Sequence, residues 1–205
     1  MDFFFQIAIL IMSVVIHEVS HGYAASLLGD QTARWEGRLT LNPFKHLDPV
    51  GSVVVPTISY MLGGFLFGWA KPVPYNPYNL RPGRWSEAIV AGAGPASNIA
   101  IALVFGLFLR IAADVSGVAL SPALLEITAV IVFINIILAL FNLMPIPPLD
   151  GSKLLFALFP ANLETLRLFF ERYGMILVLF FIFFIWQFIA PFAGLIFRLI
   201  TGISI

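Results

Sequence analysis

Long uncharged, apolar stretches dominate the sequence, and polar residues collect between them. The five longest of them, 3–29, 49–70, 88–109, 127–149 and 173–197, together contain a single charged residue, Glu18. A helix needs about 20 mainly apolar residues to cross the roughly 30 Å of hydrocarbon in a bilayer. The pattern therefore predicts four membrane-spanning helices, at about 3–28, 88–113, 123–144 and 171–190.

A further apolar stretch, 49–70, is less typical of a helix. It contains Pro56, a run of β-branched residues that starts at Val53, and several glycines. Because these residues lower helix propensity, we expect a re-entrant, β-rich hairpin that enters and leaves the membrane on one face. Such backbone is tolerated at membrane depth where protein or a water-filled cavity shields it. The pattern does not decide whether the shorter apolar piece 192–200 crosses the membrane.

Composition supports a membrane protein. The chain of 205 residues is 60% hydrophobic and 11% charged, with a mean hydropathy of +0.98, whereas soluble domains average about 25% charged residues. Its 11 basic and 11 acidic residues balance, so the charge indicates no nucleic-acid partner, and the expected surroundings are the lipid bilayer. We expect an all-α polytopic membrane protein, in which one domain over 1–205 forms a helical bundle with the hairpin after the first helix.

The distribution of basic residues predicts an orientation. Arginines and lysines flank 49–70 on both sides and reappear after residue 150, whereas 111–126 contains none. Cytoplasmic loops of membrane proteins carry an excess of these residues. If 49–70 returns to the face that it entered, all basic loops are cytoplasmic. We therefore expect a multi-pass protein of the cell membrane with its N-terminus outside.

His17, Glu18 and His21 form an HExxH pattern within the first predicted helix. Histidines four residues apart lie on one helical face, so both imidazoles can bind one zinc ion. The glutamate of this pattern activates water as a general base. An ionisable residue inside a membrane span is energetically costly and typically functional. The pattern therefore predicts one catalytic Zn²⁺ per chain.

A catalytic zinc site needs a third protein ligand and leaves the fourth position to water. The candidates are His46 or a carboxylate, and the best carboxylate is Asp150, in a proline-rich loop. Asp150 could instead cap the short helix that begins at Gly151. In the predicted topology, the inner end of the first helix and the end of the 123–144 helix lie on the same side of the membrane. This placement favours Asp150 as the third zinc ligand, at a site toward the cytoplasm.

Other polar residues in apolar surroundings need partners or functions. Asn142, at the mouth of the proline loop, is well placed to stabilise an oxyanion. Asn135 is expected to hydrogen-bond a neighbouring helix, and the small residues preceding Asn98 are typical of close helix packing. His46 is expected to make local hydrogen bonds in its loop.

The motifs resemble those of the site-2 protease family of intramembrane zinc metalloproteases, in its compact prokaryotic form without a PDZ or CBS domain. The resemblance covers nearly the whole chain, and its most specific segments are His17-Glu-Val-Ser-His-Gly22 and Asn142-Leu-Met-Pro-Ile-Pro-Pro-Leu-Asp-Gly151. Weaker matches lie at Gly29-Asp30, at 37–43 and at Gly94-Pro95.

The resemblance implies a role for each matching residue. His17, His21 and Asp150 would bind zinc, Glu18 would activate water, and Asn142 would assist the substrate carbonyl. The implied substrate is a single-span membrane protein or a membrane-anchored peptide. Its unwound backbone is expected to pair with the unpaired backbone of the proline loop and of a strand at 53–60.

Two other classes of function fit parts of the pattern. A membrane metal transporter could use the same histidines, but transporters distribute their polar ligands along a path, often in repeated halves. A non-catalytic membrane scaffold has no need of Glu18 together with three potential zinc ligands. The expected function is therefore that of a zinc-dependent intramembrane endopeptidase, which hydrolyses peptide bonds of membrane-spanning substrates.

Overall fold

The computed structural model describes residues 3–55, 57–58, 61, 70–114, 121–159 and 164–203. Its α-helices are α1 (Phe3–Leu27), α2 (Thr32–Trp35), α3 (Ser86–Asp114), α4 (Pro122–Asn142), α5 (Asp150–Leu158), α6 (Glu164–Phe180) and α7 (Trp186–Thr201). A π-helical turn at Phe181–Ile185 joins α6 to α7, and 3₁₀ turns lie at Pro43–Lys45 and Pro77–Asn79.

Within the described part of the chain, four helices are long and apolar enough to cross a membrane. They are α1, α3, α4, and α6 together with the π-helical turn that follows it. Large apolar side chains on their outer faces are exposed, among them Val104 on α3 and Ile176 on α6. Soluble monomers rarely expose apolar surface on this scale. These helices therefore fit a multi-pass membrane protein.

Helix α3 lies at the centre of the bundle and contacts α1, α4, α5 and α7. One core cluster joins Ala102 and Leu109 of α3 to Val132 of α4 and Phe197 of α7. At Gly106 of α3, a Cβ would clash with Ile200, so glycine lets α3 and α7 approach closely. The tight packing around α3 fixes the relative positions of the helices that carry the polar residues.

Polar contacts define the helix directions. Val90 of α3 lies beside His21 near the end of α1, whereas Asn98 lies beside Ser13, so α1 and α3 are antiparallel. Asn135 of α4 also contacts Ser13, and the loop after α4 reaches His21, so α4 runs in the same direction as α1.

The prediction of a β-rich hairpin at 49–70 is wrong. The described residues of this stretch are helical: Val50–Val54 forms a π-helical turn, and residues 55, 57, 58 and 61 are also in helix. Residues 56, 59–60 and 62–69 lie outside the described part of the chain. No strand occurs among the described residues, so the predicted pairing of a substrate with a strand at 53–60 loses its basis.

Two physical effects explain the helical conformation. Asp48 Oδ1 accepts the backbone N–H groups of Val50 and Gly51, at 2.9 and 2.6 Å, and so caps the start of the turn. The β-branched residues lower helix propensity by only about 0.5 kcal/mol each. In an apolar environment every backbone polar group needs a partner, and a helix supplies those partners within one segment. The general requirement for backbone hydrogen bonds outweighs the local propensity.

The connection between α1 and α3 starts and finishes at the same end of the bundle. Arg81 donates its backbone N–H to Leu28 O at 2.8 Å. Beside this contact, Asp30 accepts the backbone N–H of Asn76 at 2.8 Å and the side-chain Nδ2 of Asn79 at 3.0 Å. We call this group of contacts the Asp30 clasp. It holds the C-terminal end of α1 against the segment that leads into α3.

Further hydrogen bonds order the loop segments at this end. Arg38 Nη2 donates to the carbonyl oxygens of Lys71 and Pro72, at 2.9 and 3.2 Å. Lys71 donates its backbone N–H to His46 O at 2.8 Å. Residues 70–76 are thereby held along α1, at the level of Glu18.

Asp30→Asn is expected to destabilise the fold. Asp30 is fully buried, and it also accepts Thr32 N–H and Thr32 Oγ1–H. Burial opposes ionisation, but these hydrogen bonds outweigh it and lower the pKa of Asp30 below its ordinary value. We expect the substitution to reduce the free energy of unfolding by about 1–3 kcal/mol, because the amide nitrogen would face hydrogen-bond donors.

The pH dependence of this effect has a definite sign. A carboxylate whose pKa is lowered by folding stabilises the protein above its unfolded-state pKa, and it loses that contribution as the pH falls through its folded pKa. Thermal unfolding in detergent should thus separate wild type from Asp30→Asn at neutral pH and much less in strong acid. Glu36→Gln, which alters an exposed acid of the same loop, is the control. Equal melting temperatures at neutral pH would contradict the clasp.

Candidate metal centre

Helix α1 carries both histidines of the HExxH pattern on the side that packs against α3. His17 and His21 are buried. Their Nε2 atoms lie 3.0 Å apart, as expected for side chains one helical turn apart. The two ring nitrogens point toward a common space.

The proline-rich loop after α4 brings Asp150 to the same space. Its Oδ2 lies 3.1 Å from His17 Nε2 and 3.2 Å from His21 Nε2. Asp150 is the first residue of α5, and Leu149 occupies the N-cap position without a side-chain cap. The alternative in which Asp150 caps this helix is therefore not what the structure shows.

A glycine allows the chain to turn back at this point. A Cβ at Gly151 would meet the backbone carbonyls of Leu143 and Met144, so only glycine lets α5 start this close to the end of α4. The ordinary pKa of an aspartate is about 3.9, so Asp150 is anionic at neutral pH, as a metal ligand must be.

Hydrogen bonds on the far side of each ring orient the histidines. His21 Nδ1 lies 2.7 Å from Val90 O, and His17 Nδ1 lies 2.7 Å from Asn98 Oδ1. These oxygens only accept, so each Nδ1 carries the proton and each Nε2 of a neutral ring presents a lone pair. Both histidines are therefore in the tautomer that binds a metal through Nε2.

The three converging atoms fit a tetrahedral zinc ion. Two imidazole nitrogens and one carboxylate oxygen, from His17, His21 and Asp150, lie 3.0 to 3.2 Å from one another. Zinc ligands at about 2.0–2.1 Å from the ion lie about 3.3–3.4 Å apart in a tetrahedron. Among the described residues, the buried Asp150 Oδ2 has no hydrogen-bond partner. A cation would relieve the repulsion among these three electron-rich atoms.

Gly94 of α3 leaves the space beside these atoms open. A Cβ at this position would lie 2.6 Å from His17 Nε2 and would also clash with His21 Nε2. The methyl group of an alanine would thus fill the space that the ligand atoms surround. The structure combines a suitable donor set with room for an ion.

Glu18 is outside this group of three and faces the loop 70–76. Its Oε2 accepts the backbone N–H of Val73 at 2.8 Å. Sequence reasoning missed this contact, because the residues around Val73 carry no motif that points to a distant carboxylate. The proposed base is thus held by a segment of the chain far from the HExxH motif.

The structure also shows what the other polar residues contact. Asn142 donates its Nδ2 to Leu138 O at 3.0 Å, within its own helix, so its role at a substrate carbonyl stays a prediction. Asn135 makes the interhelical hydrogen bonds expected of it, and His46 Nε2 bonds Thr40 O locally at 2.9 Å. Asn98 contacts His17, whereas its sequence context indicated mainly helix packing and left open whether Asn98 faces the cavity. The only signal was a polar side chain within an apolar helix.

A peptidase family and several curated metalloproteases match this chain. The model of peptidase family M50 matches residues 109–185, which include Asn142 and Asp150. A Bacillus subtilis protein named "Putative zinc metalloprotease YwhC" is 38% identical over 174 residues, which cover 83% of this chain and 76% of that protein.

More distant relatives carry the same description. A Mycolicibacterium smegmatis protein named "Putative zinc metalloprotease Rip2" is 32% identical over 73% of this chain. The matched region spans 55% of that protein. Rip2 of Mycobacterium tuberculosis is 29% identical over the same share of the chain. No solved structure matched the chain. Its motifs, its family match and its relatives agree that the chain belongs to peptidase family M50, the site-2 protease family of metalloproteases.

Proposed function

We propose that the protein is an intramembrane zinc endopeptidase that hydrolyses peptide bonds of membrane-spanning substrates. The convergence of His17 Nε2, His21 Nε2 and Asp150 Oδ2 carries this proposal. Two neutral imidazoles and one carboxylate are the ligand set of many zinc peptidases, and they leave a fourth position for water or substrate.

The residues of the site divide the chemistry among them. When bound, zinc would lower the pKa of water toward neutrality and polarise the scissile carbonyl. Glu18 would accept a proton from the attacking water and deliver it to the leaving amine. The backbone N–H of Val73 holds Oε2 of Glu18 and so orients the carboxylate. Asn142 would release Leu138 O and donate to the carbonyl oxygen of the substrate.

The location of the site within the bundle favours access from the cytoplasm. His21 lies in the last two turns of α1, close to the loops that α1 and α3 share. Those loops carry basic residues, Arg34, Lys71 and Arg81 among them. By the positive-inside rule this end is cytoplasmic, and the N-terminus is outside.

Single cysteines can test this orientation without background, because the natural chain has none. Tyr78 is 96% exposed in the basic loops, and Ser121 is exposed at the opposite end of the bundle. A membrane-impermeant thiol reagent added to intact cells should label Ser121→Cys and not Tyr78→Cys. Both should react after the membrane is opened. Labelling of Tyr78→Cys in intact cells would reverse the proposed topology.

The activity itself can be tested with purified protein in liposomes and a single-span test substrate. We expect cleavage products whose ends, identified by mass spectrometry, map to the membrane segment or its border. A chelator should remove the zinc and stop cleavage, and added Zn²⁺ should restore it. Cleavage that continues after the metal content has fallen to background would refute the proposal.

Asp150→Ala should weaken metal binding and activity together. The substitution removes the only carboxylate among the three ligand atoms, so we expect zinc affinity to fall by more than about 100-fold, beyond what loss of a supporting residue causes. Glu164→Ala, which removes an exposed acid from α6, is the matched control. Zinc affinity is measured by competition with a chromophoric chelator. Wild-type affinity in Asp150→Ala would exclude this residue as a ligand.

A further inference from the structure

We infer that Asn135 of α4, acting through Asn98 of α3, sets the tautomer of His17 and so prepares its Nε2 for the metal. Asn135 does not contact the three ligand atoms, so it is a positioning residue. The inference rests on the proposed zinc site and extends it to two residues that support the ligand His17. Three helices, α1, α3 and α4, contribute to it.

We call the hydrogen-bonded series Asn135–Asn98–His17 the relay, and it begins at a backbone carbonyl. Asn135 Nδ2 lies 2.8 Å from Ile131 O and 3.0 Å from Ser13 Oγ. A carbonyl oxygen can only accept a hydrogen bond, so the NH₂ group of Asn135 must be on this side. The oxygen of the Asn135 amide consequently faces Asn98.

The orientation of Asn135 determines that of Asn98. Asn135 Oδ1 lies 2.8 Å from Asn98 Nδ2, and only the NH₂ group of Asn98 can donate to it. Asn98 Oδ1 therefore faces His17 Nδ1, at 2.7 Å, and requires a proton there. A proton on Nδ1 leaves the Nε2 lone pair of the neutral ring directed at the metal position.

Burial makes this arrangement strict. Asn98 and Asn135 are fully buried, and Ser13 is 4% exposed. With little access to water, a reversed amide would leave donors facing donors and acceptors facing acceptors, which is unfavourable in a buried network. His21 differs, because its Nδ1 bonds the backbone carbonyl of Val90 and needs no side chain to define its tautomer. The tautomer of His17 is thus the one that substitutions can change.

Loss of the relay has a specific consequence. Without the oxygen of Asn135, the NH₂ group of Asn98 keeps only its longer contact with Ser13 O, at 3.5 Å, so Asn98 can reverse and present this group to His17 Nδ1. His17 would then carry its proton on Nε2, the atom that must bind the metal. Metal binding would have to displace this proton, so the affinity would fall.

Cobalt binding to the whole protein in detergent provides the test, since Co²⁺ occupies zinc sites and gives visible absorption bands. We expect Asn135→Leu and Asn98→Leu to lower Co²⁺ affinity by about 10–100-fold, the range for residues that support metal ligands. Asn98→Asp keeps an acceptor for His17 Nδ1 and should stay within a few-fold of wild type. Thr128→Val, which alters a buried polar residue seven positions before Asn135 on α4, should have no effect.

A spectroscopic readout separates a tautomer effect from general damage. Nitrogen NMR of labelled histidine in the metal-free protein should show His17 protonated on Nδ1 in wild type and shifted toward the Nε2 tautomer in Asn135→Leu. If Asn135→Leu does not fold, the comparison of Asn98→Asp with Asn98→Leu decides, and equal loss in both overturns the inference. If wild type and Asn135→Leu bind Co²⁺ equally, the inference about Asn135 is wrong and the proposed zinc site is unaffected. If wild type binds no Co²⁺, the proposed zinc site fails with it.

Discussion

Glu18→Gln should reduce peptide-bond hydrolysis by about 10²–10⁴-fold in kcat, the usual contribution of a general acid–base group. It should leave zinc content unchanged, because Glu18 is not among the three converging ligand atoms. Glutamine has nearly the same shape as glutamate, and its carbonyl oxygen can still accept the N–H of Val73. What it lacks is a carboxylate oxygen that can accept a proton from water.

Two measurements on one preparation check this expectation. Zinc per chain is determined by elemental analysis, and cleavage of a single-span substrate is followed under single-turnover conditions, which report on chemistry rather than product release. Glu36→Gln, the same replacement at an exposed loop position, controls for the loss of one negative charge. A Glu18→Gln protein that cleaves at the wild-type rate would remove Glu18 from the mechanism.

Gly94→Ala should abolish zinc binding and proteolysis together. The new methyl carbon would lie 2.6 Å from His17 Nε2, whereas carbon atoms pack comfortably at about 3.5–4.0 Å from their neighbours. Gly94 lies in the tightly packed centre of the bundle, so α3 cannot withdraw without disturbing α1 and α4. The methyl group therefore displaces the imidazoles or occupies the space of the ion.

Gly92→Ala provides a matched control on the same helix. A Cβ at Gly92 meets only Leu154 Cδ2, at 4.0 Å, which is an ordinary contact. Both substitutions raise helix propensity by about 1 kcal/mol, so a difference between them reports on the site and not on α3 itself. We expect one zinc per chain in Gly92→Ala and none in Gly94→Ala. Full zinc occupancy in Gly94→Ala would show that the metal lies elsewhere.

The sequence predicted which three potential ligands the structure brings together, but it did not predict the conformation of 49–70. His17 and His21 share a helical face by spacing alone, and the order of the predicted spans pointed to Asp150. The structure brings these three residues together. The β-branched residues from Val53 onward were interpreted as part of a β-rich hairpin, whereas the described residues of this stretch are helical.

The contacts that the sequence did not predict join residues that are far apart in the chain. Glu18 and Val73 are 55 positions apart, and a backbone N–H has no signature in a sequence. The segment that precedes Asn98 was interpreted as a packing surface, which describes its small residues correctly. The buried amide of Asn98 also needs hydrogen-bond partners, and one of them is His17.

The Asp30 clasp has a consequence for how this protein can vary. It joins residues 28–30 to residues 76–81, so the chain between them is a loop with a fixed base. Glu36 and Phe44 are exposed positions between these contacts, so changes there leave His21 in place against Val90. The clasp therefore lets the surface of this segment vary without rebuilding the site formed by His17, His21 and Asp150.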